Sequence, residues 1–264
     1  MFASRTEPAH FFESSTHEEA LARLQFLVEQ RQRLGLLLGT SGSGKSLLLN
    51  LFAQALAQTG RQVALVAMLG IDRGQFVHQL GTQFETNLPA TAAPATQWRA
   101  IVDRILANRY QSRDTVLLLD DADEADREVL AQVARLAECD DSPQSRLTMV
   151  LAAHSSRLQQ LGDRLLGLSE LRIEIEPWDV EDVRGFLQHA LKCADVADNV
   201  FDSSAVVRLH ELTRGVPRRV SQLAELALIA GAGAETEEIN GDTVEAVFEE
   251  LAVQSTFPAA PVYQ

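Results

Sequence analysis

Between an apolar run, Leu34-Gly35-Leu36-Leu37-Leu38, and a stretch of helical spacing from Leu47 to Leu56, the chain reads Gly39-Thr40-Ser41-Gly42-Ser43-Gly44-Lys45-Ser46. No other feature restricts the fold as tightly, because such a loop has chemical meaning only when a strand enters it and a helix leaves it. Glycines let the backbone bend until successive N–H groups converge, and the helix start adds the positive end of its dipole. That combination is suited to phosphate. Lys45 would place a point charge on β- and γ-phosphates, and the Ser46 hydroxyl would ligate Mg²⁺. The expected binding set is Gly39, Thr40, Ser41, Gly42, Ser43, Gly44, Lys45, Ser46 and Leu47. The plainer reading is a Gly/Ser-rich loop that happens to hold a lysine. Average residue usage produces the pattern by chance in roughly 1% of chains this long, and the flanking strand and helix lower that further. A bound nucleoside triphosphate with Mg²⁺ is the expectation.

Composition narrows the partners. Apolar content of 46% and charged content of 23% suit a soluble globular chain. Acidic residues number 37 against 23 basic ones, a formal net charge of −14, so nucleic acid could be met only at a local basic patch. Simple solubility explains an acidic surface equally well. Cys139 and Cys193 are isolated and show neither metal spacing nor a disulfide framework, which suits a reducing cytosol. The N-terminal Met1-Phe2-Ala3-Ser4-Arg5-Thr6-Glu7-Pro8 has no charged segment followed by an apolar core, and no apolar stretch approaches a membrane span. A cytoplasmic protein without signal peptide or membrane span is expected.

Along the chain, Ser15 or Thr16 would cap a first helix with an apolar face at Ala20, Leu21, Leu24, Leu27 and Val28. Strands are predicted at 34–38, 63–68, 115–119, 147–153 and 171–175, with helices at 47–57, 74–86, 98–110 and 126–138 between them. Continuous apolar strands alternating with helices indicate a parallel sheet covered on both faces. After Pro177-Trp178 the pattern becomes wholly helical, at 180–193, 203–213, 217–232 and 241–253. We therefore divide the chain into a nucleotide-binding core at 1–177, a helical domain at 178–253 and a flexible tail at 254–264.

The apolar strand Val116-Leu117-Leu118-Leu119 ends in Asp120-Asp121. Asp120 can hold Mg²⁺ through water, and Asp121 can orient the attacking water at the γ-phosphate. Most hydrolysing proteins of this pattern carry Glu at the second position. Asp withdraws the carboxylate by about 1.5 Å, and a misplacement near 1 Å can cost on the order of 10²-fold, so slow hydrolysis is expected. Asp123 or Glu124 would be the residues to make up the reach. His154 closes the fourth strand, which would lie between the two motif strands, so its side chain could meet the γ-phosphate; a polar strand end facing solvent is the alternative. In Gly215-Val216-Pro217-Arg218-Arg219, Pro217 fits the first position of a helix, which puts Arg218 in its first turn. A cation there opposes the helix dipole unless an anion such as the nucleotide γ-phosphate lies in front of it, which adds Arg218 to the expected binding set; a solvated arginine pair is the other reading.

With these pieces assembled the chain resembles an AAA+ ATPase, most similar to the general secretion pathway protein A group and its transposition-helper relatives. The carrying residues are Phe11-Phe12, the Ser-Thr-His-Glu-Glu-Ala-Leu-Ala-Arg-Leu run at 15–24, the loop at 39–46, residues 117–121 and Gly215-Val216-Pro217-Arg218. The likeness runs to about Leu251. It implies an α/β fold: a P-loop NTPase parallel sheet of order 5-1-4-3-2 flanked by helices, with a C-terminal all-helical lid. ATP would lie at their junction, its adenine near residues 11–17 within an adenine-side segment at 1–33. On that pattern Lys45 and Ser46 serve phosphate and Mg²⁺, Asp120 the metal side and Asp121 the catalytic position. His154 and Arg218 take the first and second sensor positions, so the catalytic set is Asp121, Lys45, His154 and Arg218. The family also offers an arginine to a neighbouring subunit's ATP just before the fifth strand. Here Leu168 falls near that place, with Arg164 a turn earlier and Arg172 just after, so the finger is unassigned. Secretion members continue into a membrane span and a peptidoglycan-binding region that this sequence does not contain, so no direct role in secretin assembly is expected.

The leading expectation is an ATP-hydrolysing switch or assembly factor read by a protein partner, in secretion or surface-polysaccharide machinery, with an ATP-dependent homo-oligomer as its assembled form. The alternatives are a DNA-transaction helper, using Arg208, Arg214, Arg218 and Arg219 as a local patch, and a nucleotide-bound regulatory module with vestigial hydrolysis. A small-molecule kinase fits poorly, because its lid would sit between core strands.

Overall fold

The computed structural model describes residues 11–89, 91–194, 196, 200–234, 236 and 238–256. The N-terminal residues 1–10 and the last eight residues of the expected tail lie outside these. Two compact units divide at Thr16/His17 and at Ile175/Glu176.

In the unit from His17 to Ile175, five strands form one parallel sheet: β1 (Leu34–Gly39), β2 (Gln62–Ala67), β3 (Thr115–Asp120), β4 (Leu147–His154) and β5 (Leu171–Ile175). Their order, β2-β3-β4-β1-β5, is the 5-1-4-3-2 arrangement read from the other edge. The interior strands β1 and β3 are buried at every position, whereas the edge strand β5 alternates, with Arg172 and Glu174 exposed and Ile173 and Ile175 buried. Covering both faces requires continuous apolar runs; an edge needs only half of one.

Helices α1 (Ser15–Glu29), α2 (Lys45–Ala57), α3 (Arg73–Gln83), α4 (Pro94–Tyr110), α5 (Arg127–Ala137) and α6 (Gly162–Leu168) accompany the sheet. Leu36, Leu38, Leu117, Leu119, Met149 and Leu151 share one core with Phe76 and Leu80 of α3, Ile101 of α4 and Val133 of α5. Leu27 of α1 packs where β1 has no side chain: a Cβ on Gly35 would come within 2.7 Å of Leu27 Cδ1. A glycine inside this strand therefore marks a close helix approach.

Several boundaries differ from the sequence expectation. Helix α1 begins at Ser15, so neither Ser15 nor Thr16 precedes it as a cap. Helix α4 starts at Pro94, which takes the first helical position where its missing N–H is not needed. Helix α3 stops at Gln83, and the chain after it turns left-handed at Glu85 and Asn87, with the Thr86 hydroxyl donating to Gly81 O at 3.0 Å. A 3₁₀ turn over Ser155–Leu161 and helix α6 were not expected, because Gly162 and Gly167 interrupt the apolar period and only Leu161 and Leu165 there are buried. Cys139 is a half-buried thiol whose pKa is pushed up to about 11, first by burial and then by the Asp140 charge.

The second unit holds α7 (Val180–Cys193), α8 (Ser203–Thr213), α9 (Pro217–Gly233) and α10 (Gly241–Thr256). Helix α10 thus takes in residues 254–256 of the expected tail. Trp178, Val183, Leu187, Leu209, Val220, Leu223 and Val244 form its core. Residues 11–16, which the division at Pro177 assigns to the core, group with this unit: Phe12 meets Trp178 edge-on at 5.6 Å, and Trp178 Nε1–H donates to Ser14 Oγ at 2.9 Å. Among the described residues no helix is long and apolar enough to cross a membrane.

Gly215 explains part of the Gly-Val-Pro-Arg signal. It is left-handed at φ +64°, its carbonyl accepts the Trp178 N–H at 2.9 Å, and a Cβ there would collide with the Trp178 carbonyl oxygen. Only glycine permits both. Gly215→Ala should destabilise the helical unit by about 3 kcal/mol in urea unfolding. Gly233→Ala, where a Cβ meets nothing within 4 Å, should be neutral or stabilising.

Candidate functional site

Because all strands are parallel, their carboxyl ends share one edge of the sheet, where ligands of such sheets bind. Gly39, the last residue of β1, pairs in register with His154, the last of β4. On the far side of β4, Leu119 pairs with Leu151, and Asp120 closes β3. The sequence-predicted positions at 39–46, 120–121 and 154 thus converge on one edge.

The loop has the backbone its glycines suggest. Gly42 and Gly44 are left-handed at φ +85° and +99°, and Gly44 directly precedes α2. Neither Gly39 nor Gly44 has room for a side chain: a Cβ on Gly39 would lie 2.5 Å from Ser43 Oγ, and one on Gly44 would lie 2.7 Å from His17 Nε2. The Lys45 ammonium donates to the carbonyls of Gly39 at 2.9 Å and Thr40 at 3.0 Å, so it lies folded back across the loop. Ser43 is buried, and its Oγ has no hydrogen-bond partner among the described residues. A buried hydroxyl of that kind at a loop with two left-handed glycines fits a phosphate-bearing ligand. Ser46 is exposed in the first turn of α2, and Thr40, Ser41 and Leu47 complete the loop and its exit.

Asp120 is 8% exposed, and its Oδ1 accepts the Asp121 N–H at 3.0 Å. Among the described residues no group of three or more His, Cys, Asp or Glu could hold a metal ion by itself. A Mg²⁺ ion at this edge would therefore combine Ser46 and Asp120 with phosphate oxygens and water, the usual manner for this cation.

Asp121 is left-handed, at φ 52° and ψ 43°. Asp and Asn enter that region more often than most residues, although Glu85 and Arg214 of this chain adopt it as well, so the local backbone suits the shorter carboxylate without requiring it. The neighbouring acids are committed elsewhere. Asp123 is buried and its Oδ1 accepts the His154 N–H at 3.0 Å, while Glu124 pairs with Arg157. Neither supplies the reach that Asp121 lacks. His154 Nδ1 accepts the Ser156 N–H at 3.2 Å, so a neutral ring carries its proton on Nε2 as a donor.

Sequence reasoning placed His17 only among residues near the adenine. It is 3% exposed, and its Nε2 lies 2.9 Å from Ser43 O, against the back of the loop. A polar residue on an otherwise apolar helix stripe was the available signal. In the helical unit, Pro217 and Arg218 open α9, and Val216 precedes them without a side-chain cap bond. Arg208 is held by Glu245 at 2.5 Å and by Glu211 at 2.7 Å, which removes it from the proposed basic patch. Of the finger candidates, Leu168 ends α6. Arg164 is paired with Glu138, whose hydrogen bond raises the arginine pKa further. Arg172 is exposed on β5 and has no ion pair among the described residues. Gly44→Ala, which adds a Cβ at a left-handed position against His17, should weaken ATP binding at least tenfold by calorimetry.

Comparison with known proteins agrees with this geometry. The AAA domain family matches residues 28–161. General secretion pathway protein A of Aeromonas hydrophila is 26% identical over 253 residues, which cover 94% of this chain and 46% of that protein. The chain thus spans less than half the length of that curated relative. Among solved structures, Cdc6p of Pyrobaculum aerophilum superposes with a TM-score of 0.73 at 16% identity, over 97% of this chain and 74% of that one. The ORC2 protein of Aeropyrum pernix gives 0.64 at 14%, over 97% and 74%. The RuvB Holliday junction branch migration motor of Thermotoga maritima gives 0.62 at 16%, over 95% and 74%. At such identities these structures bear on the fold alone. With its phosphate loop, its strand order and a family match over residues 28–161, the chain belongs to the AAA domain family of AAA+ P-loop ATPases.

Proposed function

We propose that this chain binds ATP with Mg²⁺ at the loop of residues 39–46, hydrolyses it slowly, and uses the nucleotide state as a conformational switch read by a protein partner. The observation that carries the reading is the loop itself. It has two left-handed glycines, two glycines at which a Cβ would clash, and an ammonium lying across it. Lys45 would exchange its carbonyl partners for phosphate oxygens, a charge-assisted replacement for two neutral acceptors. Ser46 and Asp120 would hold Mg²⁺, which would supply positive charge against that developing on the phosphate. Asp121 would orient the attacking water, His154 would donate from Nε2 toward the terminal phosphate, and Arg218 at the start of α9 would answer to the nucleotide's charge. Slow turnover follows from the short Asp121 side chain, with Asp123 and Glu124 both engaged.

Likeness to General secretion pathway protein A supports a role in secretion; service to surface-polysaccharide machinery and an ATP-dependent homo-oligomer are the further parts of this proposal. The DNA-helper reading rests on the likeness to transposition-helper ATPases and on Arg208, Arg214, Arg218 and Arg219 of the helical unit. The net charge of −14 and the neutralised Arg208 weigh against it. A small-molecule kinase is disfavoured because the helical unit follows β5 instead of interrupting the sheet.

Lys45→Ala should weaken ATP binding by about 10²-fold or more, read by calorimetry. Asp121→Asn keeps the left-handed backbone and removes the charge. It should leave the ATP Kd within about threefold while lowering kcat by about 10²-fold. Equal turnover by Asp121→Asn and the parent would remove Asp121 from the mechanism. Sizing with and without ATP and Mg²⁺ tests assembly, and salt-dependent DNA binding in the ATP state would revive the DNA reading.

A further inference from the structure

We propose that His17 is a positioning residue for the phosphate loop, its Nε2–H holding the Ser43 carbonyl outward so that the Gly44 N–H points into the loop. The inference rests on the nucleotide reading above and goes further, in assigning a loop-setting role to a side chain of the first helix.

A carbonyl oxygen can only accept, so the 2.9 Å contact between His17 Nε2 and Ser43 O requires the proton on Nε2. The ring is 3% exposed, which shields that bond from bulk solvent. The described backbone contains no cis peptide. In a trans peptide the C=O and the following N–H point in opposite directions, so fixing Ser43 O against the histidine turns the Gly44 N–H the other way. The ring also occupies the space next to Gly44 that a Cβ would need, 2.7 Å from Nε2 and 3.4 Å from Cε1. One histidine therefore accounts both for the direction of a peptide plane and for a glycine.

Helix α1 makes this support rigid. Its buried residues His17, Ala20, Leu24, Leu27 and Val28 form one stripe. Leu27 seats on Gly35 within β1, and His17, ten residues earlier, seats on Ser43 and Gly44. Ten residues of helix span about 15 Å. The helix is thus pinned to the strand that enters the loop and to the loop's far end, and the loop between them is held from behind. A leucine at position 17 would continue the stripe but leave the Ser43 carbonyl without this donor, free to turn.

The test compares His17→Leu with His17→Gln. The glutamine amide nitrogen stands as many bonds from Cα as Nε2 does and restores an N–H there, whereas leucine is one bond shorter and carries no donor. ATP and inorganic pyrophosphate are titrated by calorimetry, the Gly44 amide is followed by ¹H–¹⁵N NMR, and the melting temperature of each variant is recorded without nucleotide. His17→Leu should weaken both ligands by about tenfold, the effect of one lost hydrogen bond to phosphate. It should do so even where its melting temperature matches or exceeds the parent's, and the Gly44 amide shift on adding pyrophosphate should shrink. His17→Gln should bind within about threefold of the parent. Equal affinity of His17→Leu and the parent overturns the proposal, as does equal weakening by the two variants, which would mean the donor is not what matters. A parent that binds neither ligand overturns the nucleotide reading and this one with it.

Discussion

A loop with two left-handed glycines has little of its own to hold one conformation, and the structure around residues 39–46 fixes it from several sides. Gly42 and Gly44 provide the left-handed dihedrals, at φ +85° and +99°. The buried strand β1 fixes the start of the loop and helix α2 fixes its end. Helix α1 touches both β1 and the loop, through Leu27 on Gly35 and His17 on Ser43. Without that bracing the loop would be a glycine-rich segment with many conformations, and ordering it would use up part of the binding energy.

The parallel sheet contributes the rest by geometry alone. With every strand running the same way, β1, β3 and β4 end on one edge, and the groups they deliver are as close as the register dictates. Gly39 stands beside His154 because β1 and β4 pair in that register. Asp123 then ties the turn after β3 to the end of β4 through the His154 N–H. This locks the two strand ends together, and it also explains why Asp123 cannot double as a spare carboxylate. The left-handed backbone at Asp121 is one that aspartate adopts readily, so the shorter carboxylate is at least no strain there.

The helical unit illustrates a limit of pattern reading. The apolar periods of α7 and α8 gave their ends to the residue, because amphipathic helices with clear caps, such as Asp179 and Asp202, announce themselves. Residues 155–168 did not, since short helical pieces broken by Gly162 and Gly167 leave no period to follow. The membership of residues 11–16 was equally hidden. Phe11-Phe12 is apolar in any context, and only the ring contact with Trp178 shows which unit claims it.

The residue order by itself determined that a phosphate loop lies between strand and helix, that the sheet is parallel, that acids close the third strand, and that the chain turns helical after Pro177. Those are local facts of spacing, charge and glycine placement, and they survive any packing. Tertiary structure alone decided that Asp123 and Glu124 are occupied, that Arg208 and Arg164 are neutralised by acids, and that His17 bears on the loop. Each of these depends on which side chains distant in sequence come within hydrogen-bond reach. That distance is set by how helices seat on the sheet and on one another, which no local pattern encodes.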